Sequence, residues 1–259
     1  MKGRNAVVTG STSGIGRAIA EALAAEGCNV MLNGFGDAGE IEMARRQLAE
    51  RTGRTIAYCA ADMSLPGDVR NLIATATRTL GSVDILVNNA GVQHVAPLAE
   101  FPDEKWDLLL AVNLSAAFHA SKAVMPAMID RRFGRIVNIA SALGLVGAPH
   151  KPAYVASKHG LVGLTKSIAL EVAQTGVTCN VVCPGMVMTS IIAMQVADQA
   201  RVTGLPEEDV VAGVFLENQP IRRPVTAEEI AAAVVFLCSD AGAGITGTAL
   251  PVDGGYTAR

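Results

Sequence analysis

Tyr154 and Lys158 stand four residues apart at the start of a helical pattern, and Ser141 lies just past an apolar strand, R-I-V-N-I-A. Residues at i and i+4 share one helix face. An ammonium held beside a phenol favours the phenolate and lowers its pKa from the usual value near 10. The Ser141 hydroxyl could hold a carbonyl or alcohol oxygen against that phenol. Together the three make a proton-transfer device for alcohol/ketone chemistry. A Tyr-x-x-x-Lys pair is weak by itself, because a chain of this length has about even odds of containing one by accident. Its weight depends on the elements that would position it.

Those elements alternate. Asn5 to Thr9 is a β-branched run, followed by the loop Gly10-Ser11-Thr12-Ser13-Gly14-Ile15-Gly16 and a helical pattern through Glu26. A strand, a glycine loop and a helix in that order form a nucleotide-binding unit, with the pyrophosphate near the helix N-terminus. The second strand, Asn29 to Leu32, is followed by Asn33-Gly34-Phe35-Gly36, with Asp37 further along the loop. Phe35 would either pack on adenine or anchor the loop in the core. A helix over 39–51 follows, then a strand over 55–60 that ends at Asp62. That carboxylate could accept from an adenine amino group or serve as a cap or Asx-turn. Pro66 starts the next helix.

The fourth strand, Asp84 to Val87, ends in Asn88-Asn89-Ala90-Gly91, small and amide residues suited to a backbone that lines a cofactor. Gln93 follows on the loop. A long helix over 104–131 carries Asn113, which would cap a kink, bond to a neighbour or serve the site. Strand five, Gly134 to Ile139, leads into Ser141, and the helix over 152–174 carries Tyr154 and Lys158. Strand six, Val177 to Cys183, runs into Pro184-Gly185. The irregular stretch 186–219, rich in Met, Ile, Val and Gln, reads as a substrate-covering lid. Thr226 and Glu229 form a capping box before another helix. Ala249 to Val252 is the last strand. The pattern predicts an α/β fold, a single Rossmann-type domain with a doubly wound parallel sheet of about seven strands and helices on both faces.

Composition narrows the function. The chain has 259 residues, 50% hydrophobic, with a formal net charge of -3, so no basic surface calls for nucleic acid or an anionic membrane. No uninterrupted apolar run reaches membrane-span length, and the N-terminus lacks a signal-peptide pattern, so a soluble cytoplasmic protein is expected. The five cysteines are expected to be buried free thiols. Cys179 and Cys183 fall in a strand that would not converge them on an ion, so no metal site is expected.

Jointly these motifs resemble the short-chain dehydrogenase/reductase family, nearly end to end and in the family's order. They are T-G-S-T-S-G-I-G at Thr9, Asp62, N-N-A-G at Asn88, Asn113, Ser141, Y-V-A-S-K at Tyr154 and P-G at Pro184. The resemblance implies that Tyr154 is the acid/base, Ser141 the partner of the substrate oxygen, Lys158 the ligand of the nicotinamide ribose that lowers the Tyr154 pKa, and Asn113 the holder of a relay water. It implies a nicotinamide site built by Gly10, Thr12, Ser13, Gly14, Ile15, Gly16, Phe35, Asp62, Asn89, Ala90, Gly91, Tyr154, Lys158, Pro184, Gly185, Val187 and Thr189. Ser13 stands where NADP-preferring members tend to carry a base, which favours NAD.

The likeness is strongest to the family branch that oxidises D-3-hydroxybutyrate to acetoacetate. Shared stretches include N-N-A-G-V-Q-H, F-P-D-E-K-W-D and I-T-G-T-A-L-P-V-D-G-G-Y-T-A-R. That branch clamps the substrate carboxylate with a Gln, a His, a Lys and a second Gln, which correspond here to Gln93, Leu143, Lys151 and Gln195. Two pocket Trp positions correspond to Met186 and Tyr256. The implied substrate is a small 3-hydroxy or keto acid bound by Gln93, Ser141, Leu143, Lys151, Tyr154, Met186, Gln195 and Tyr256. Leu143 and Met186 make the pocket more apolar, so a reductase of 3-oxoacyl thioesters or of another apolar ketone is the alternative. A catalytically silent nucleotide-binding regulator is a further class, and the complete set of Asn113, Ser141, Tyr154 and Lys158 argues against it. The resemblance also implies a homotetramer.

Overall fold

Seven short strands form one parallel sheet in a computed structural model that describes residues 1–188, 196, 200, 201, 203–217 and 219–258. They are β1 (Asn5–Val8), β2 (Asn29–Asn33), β3 (Ile56–Cys59), β4 (Ile85–Asn88), β5 (Gly134–Ile139), β6 (Val177–Pro184) and β7 (Ala249–Val252). Every residue of β1, β4, β5 and β6 is buried. This is why those runs read as continuous apolar stretches rather than alternating ones: helices cover both faces of the sheet. The strand order is β3-β2-β1-β4-β5-β6-β7. Val8 of β1 therefore lies between Leu32 of β2 and Val87 of β4. The order reverses at that point, and the crevice past the strand ends is the expected ligand site of such a sheet.

Helices α1 (Gly14–Ala25) and α7 (Ala227–Cys238) pack together over one face. Ile19, Leu23, Ile230 and Leu237 make the core there with Val8, Val30 and Val87. The helix α2 (Ala38–Thr52) lies against α1 and β3. The other face carries α3 (Pro66–Leu80), a long helical segment over 103–130, and α6 (Pro152–Glu171). Leu72, Ile73, Val124 and Met128 meet Met31, Leu86 and Ile136 on that side.

The segment over 103–130 departs from the regular helix expected there. It is α4 (Asp103–Leu110), a π-turn (Ala111–Ser115) and α5 (Ala116–Asp130). By length and composition this segment could cross a membrane. Its buried residues, among them Ala117, Ala120 and Val124, instead pack within the protein. The helix α6 ends at Glu171, a few residues before the expected Gln174, and the chain turns at Gly176 (φ 83°). A Cβ at Gly176 would lie 2.2 Å from the Arg132 carbonyl oxygen, so only glycine fits this close approach. The capping box forms as expected: Thr226 accepts from the Glu229 N–H, and the Glu229 carboxylate accepts from the Thr226 N–H.

Candidate active site

The glycine loop after β1 is cut to fit a neighbour that approaches its backbone. Gly10 and Gly14 have φ of 62° and 54°, where a side chain would be strained. A Cβ on Gly16 would lie 2.2 Å from the Gly10 carbonyl oxygen and 2.4 Å from the Asn89 amide nitrogen. Asn89 stitches the loop to the end of β4: its Nδ2 donates to Thr9 O at 2.9 Å and Gly10 O at 3.0 Å. The Thr9 hydroxyl accepts from the N–H groups of Asn89 and Ala90, both at 3.0 Å. The first turn of α1 has no acidic residue, and Ser13 at its cap makes no side-chain bond to it. A positive helix end with this glycine cradle fits a dinucleotide's pyrophosphate.

Farther along this edge is a cavity of about 240 Å³ lined by Thr12, Ser13, Arg17, Phe35 and Asp37. Phe35 is 66% exposed, which rules out the core-anchor reading; its carbonyl accepts from Thr12 Oγ1 at 2.9 Å. Asp37 caps α2, accepting from Glu40 N at 2.9 Å. Arg17 is paired with Glu21 at 2.9 Å. Asp62 forms an Asx-turn, its Oδ1 accepting from the Ser64 N–H and hydroxyl at 2.8 and 2.7 Å. The turn expected of Asp62 is therefore present.

Past β4 and β5 the edge opens into a larger cleft of about 380 Å³, with Ile15, Asn89, Gly91, Ser141, Tyr154 and Lys158 on its walls. Ser141 adopts an extended conformation and caps a 3-10 turn, Ala142–Gly144, its Oγ accepting from Leu143 N at 3.1 Å. The turn packs directly on α6: a Cβ at Gly144 would lie 2.9 Å from Lys158 O. This contact brings the Ser141 hydroxyl to Tyr154. Lys158 is 4% exposed and donates from Nζ to Ile139 O at 2.8 Å. Burial lowers its pKa to about 8. Burial also raises the Tyr154 phenol, while the Ser141 hydroxyl works in the opposite direction. The lowered phenol expected from the Tyr154–Lys158 spacing is thus absent here. The ammonium donates to the Ile139 carbonyl and lies 5.7 Å from the Tyr154 ring centre, and burial of the phenol sets the direction of its shift.

Asn113 sits in the π-turn and is 2% exposed. Its Oδ1 accepts from Val92 N at 2.8 Å, and its Nδ2 donates to Val92 O at 3.0 Å and Ser157 Oγ at 3.2 Å. Ser157 in turn donates to Tyr154 O at 2.8 Å. Of the three roles considered for Asn113, bonding to neighbours is present: the Val92 backbone and the Ser157 hydroxyl. A π-turn at such a position agrees with the tendency of these turns to mark functional sites.

The same cleft is lined by Gln93, Leu143, Lys151, Met186 and Tyr256, and by Pro184, Gly185 and Val187 at and just past the end of β6. Gln93 Nε2 is buried without a hydrogen-bond partner among the described residues. Lys151 precedes Pro152, the first residue of α6, and burial lowers its pKa. Thr189 and Gln195 lie outside the described residues, as does most of 189–199. Two positioning groups carried no sequence signal. Asn138 on β5 accepts from Asn88 Nδ2 and donates to Thr165 Oγ1, both at 2.8 Å, tying β4, β5 and α6 together behind the site. Gln219 lines the cleft and holds Met186. Only an asparagine at the end of two adjacent strands, Asn88 and Asn138, could have hinted at the first.

The chain is similar to known proteins along its whole length. A family model described as enoyl-(acyl carrier protein) reductase matches residues 10–257. A D-beta-hydroxybutyrate dehydrogenase of Rhizobium meliloti is 48% identical over 256 residues, 99% of each chain. Another of that name from Cupriavidus necator is 46% identical over 260 residues, 100% of each chain. A 3-oxoacyl-[acyl-carrier-protein] reductase of Escherichia coli is 39% identical over 254 residues, 98% of this chain and 97% of that one. A crystal structure from Sinorhizobium meliloti, assigned as a short-chain alcohol dehydrogenase, superposes with a TM-score of 0.89 at 36% identity, covering 100% of this chain and 98% of the other. With a glycine cradle, a serine, a tyrosine and a lysine at one sheet edge, and relatives matched end to end, this chain is an oxidoreductase that belongs to the short-chain dehydrogenase/reductase family.

Proposed function

We propose that the protein is an NAD-dependent dehydrogenase that reversibly oxidises a small 3-hydroxy acid, with D-3-hydroxybutyrate the first choice and acetoacetate the product. The observation that carries this reading is one cleft whose walls bring Ser141, Tyr154 and Lys158 together with Gln93, whose buried Nε2 has no partner among the described residues, and Lys151, whose pKa burial lowers. A half-buried cation and an unpartnered donor on the wall of one cleft favour an anionic ligand there. The curated relatives named for D-beta-hydroxybutyrate support the same substrate.

In the oxidative direction the substrate hydroxyl hydrogen-bonds to Ser141 Oγ and Tyr154 Oη, and its proton passes to the Tyr154 oxygen. In the reductive direction Tyr154 returns that proton to the carbonyl oxygen. Lys158, when charged, stabilises the phenolate and holds the nicotinamide ribose. Asn113 keeps the backbone at Val92 and Tyr154 in register. Gly10, Thr12, Ser13, Gly14, Ile15 and Gly16, with Asn89, Ala90 and Gly91, would hold the dinucleotide, and when bound it supplies or accepts the hydride. NAD is favoured over NADP because the guanidinium at the smaller cavity, Arg17, is paired with Glu21, and the Asp37 carboxylate lines the same cavity. The stretch 186–219 serves as a lid over the acid-binding end. The active form is a cytoplasmic homotetramer.

A panel of 3-hydroxy acids, their esters and their thioesters, assayed with NAD and NADP, tests the reading. The highest kcat/KM is expected for a free 3-hydroxy acid with NAD. A higher value with NADP would overturn the cofactor assignment. A second reading, reduction of 3-oxoacyl thioesters, is favoured by the apolar Leu143 and Met186 in the cleft, and a thioester at the top of the panel would establish it.

A further inference from the structure

Gln219 is 1% exposed, yet it stands where the chain returns to the sheet edge after the stretch that follows Met186. Its side-chain Oε1 accepts from Met186 N at 3.2 Å, and its Nε2 donates to the Arg223 carbonyl. Two glycines make room for it. A Cβ at Gly185 would lie 2.9 Å from Gln219 Oε1, and one at Gly254 would lie 2.8 Å from Gln219 Cγ. The same peptide is gripped from its other side: Met186 O accepts from Val225 N at 2.8 Å, and Val187 forms a parallel bridge with Val225.

The C-terminal neighbour is equally tied. The Asp253 carboxylate accepts from Gly255 N and Thr257 N, both at 2.9 Å, and from the Thr257 hydroxyl at 2.5 Å. Tyr256 lies inside that knot, and Ile221 N donates to Gly254 O at 3.1 Å. Met186, Tyr256 and Gln219 all face the larger cleft. One buried side chain thus bonds to the Met186 backbone and packs against Gly254, next to the Tyr256 segment, and both Met186 and Tyr256 line the cleft. Neither Ser141, Tyr154 nor Lys158 is among its partners.

We propose that Gln219 is a positioning residue for substrate size: by fixing Met186 against the Gly254 backbone, it sets the far wall of the pocket. The inference deepens the assignment of this cleft to a small acid and rests on it for the direction of selectivity. A leucine of similar volume removes both bonds and takes the acceptor from the half-buried Met186 N–H, which loosens the wall. A glutamate keeps the acceptor for Met186 N–H but sets a carboxylate against the Arg223 carbonyl.

The test compares wild type, Gln219→Leu and Gln219→Glu on 3-hydroxy acids of four to eight carbons. If wild type turns over none of them, the same chain-length series of 3-oxoacyl esters is used, so failure of the acid assignment is read separately from failure of this proposal. For Gln219→Leu the expected result is a rise of about tenfold in KM for the shortest substrate, a smaller rise for longer ones, and kcat and the KM for NAD within about twofold of wild type. Gln219→Glu should restore chain-length selectivity toward wild type with neutral esters. Loss of kcat and cofactor affinity in parallel would make Gln219 a general structural residue and overturn the proposal. So would an unchanged size profile in folded Gln219→Leu, and so would failure of both variants to fold.

Discussion

Tyr154 is pulled two ways. Burial raises its phenol, and the Ser141 hydroxyl lowers it again. A proton donor held above its ordinary range suits ketone reduction; a base for alcohol oxidation requires the neighbouring cation to be charged. That cation is itself perturbed, since Lys158 titrates near 8 in the folded chain. The sign of the consequence is fixed by linkage. Unfolded, the lysine titrates near its ordinary value of 10.5, so between the two values the unfolded chain binds more protons. The cost of burying the ammonium is fully present below pH 8 and is relieved as pH rises through that window. Lys158→Met escapes this cost. Its Tm advantage over wild type should therefore shrink between about pH 8 and 10.5, measured by thermal melts without cofactor. A flat or widening gap would refute the buried-ammonium account. At the other two ends of the proton path, Tyr154→Phe should lose about 10²–10⁴ in kcat while NADH binding, followed by fluorescence, changes little. Lys151→Ala should raise KM for a carboxylate substrate by about 10- to 150-fold, the equivalent of one charged hydrogen bond of about 1.5–3 kcal/mol, with a far smaller change in kcat. An unchanged KM would remove Lys151 from the clamp. At this scale, Ser141, Tyr154 and Lys158 were legible because their types and spacing repeat a known motif. Gln219 and Asn138 were not, because each acquires its role from partners distant in sequence: Met186, 33 residues away, and Asn88, 50 away.

Among the elements, local signals were readable and non-local ones were not. Pro66 and Pro152 begin their helices, and Thr226 with Glu229 closes both halves of its capping box, because those bonds lie within a single turn. The π-turn at Ala111–Ser115 has no such local cause on the page of the sequence. It coincides with the Asn113 amide reaching Val92, 21 residues away, and a helix pattern with one polar interruption reads as a plain helix. The capping box also allows fold and chemistry to be separated. The helix α7 packs on α1, whose N-terminus faces the dinucleotide cradle, and itself carries none of Ser141, Tyr154 or Lys158. Thr226→Ala should cost about 1 kcal/mol. In a chain of this size that is a Tm drop of about 2–4 °C. Steady-state kcat should stay near wild type, and a large loss of kcat would mean that α7 transmits strain to the cleft.

For the whole molecule, strand–helix alternation was enough to foresee a parallel, doubly wound sheet, since each crossover must return the chain to the same edge. The alternation did not foretell which strands sit at the margins. In the fold, β7 closes one end with residues that are only partly buried, and Pro251 lies within it, as suits an edge strand. The surface then carries apolar side chains that the single chain leaves uncovered: Leu170 at the end of α6 is 82% exposed, and Phe118 on α5 is 44% exposed. Large exposed apolar groups on two helices of the same sheet face favour burial against another copy. The proposed tetramer therefore gives an expected mass about four times that of the 26.7 kDa chain in light scattering coupled to size exclusion. Leu170→Glu places a charge where an apolar contact would be lost, and should shift that mass toward a dimer or monomer at low micromolar concentration while the far-UV circular dichroism stays unchanged. If the wild type elutes as a monomer, these side chains are ordinary exposed surface and the tetramer is wrong. If the variant remains tetrameric, the assembly exists but is held by another face, and Leu170 is not part of it.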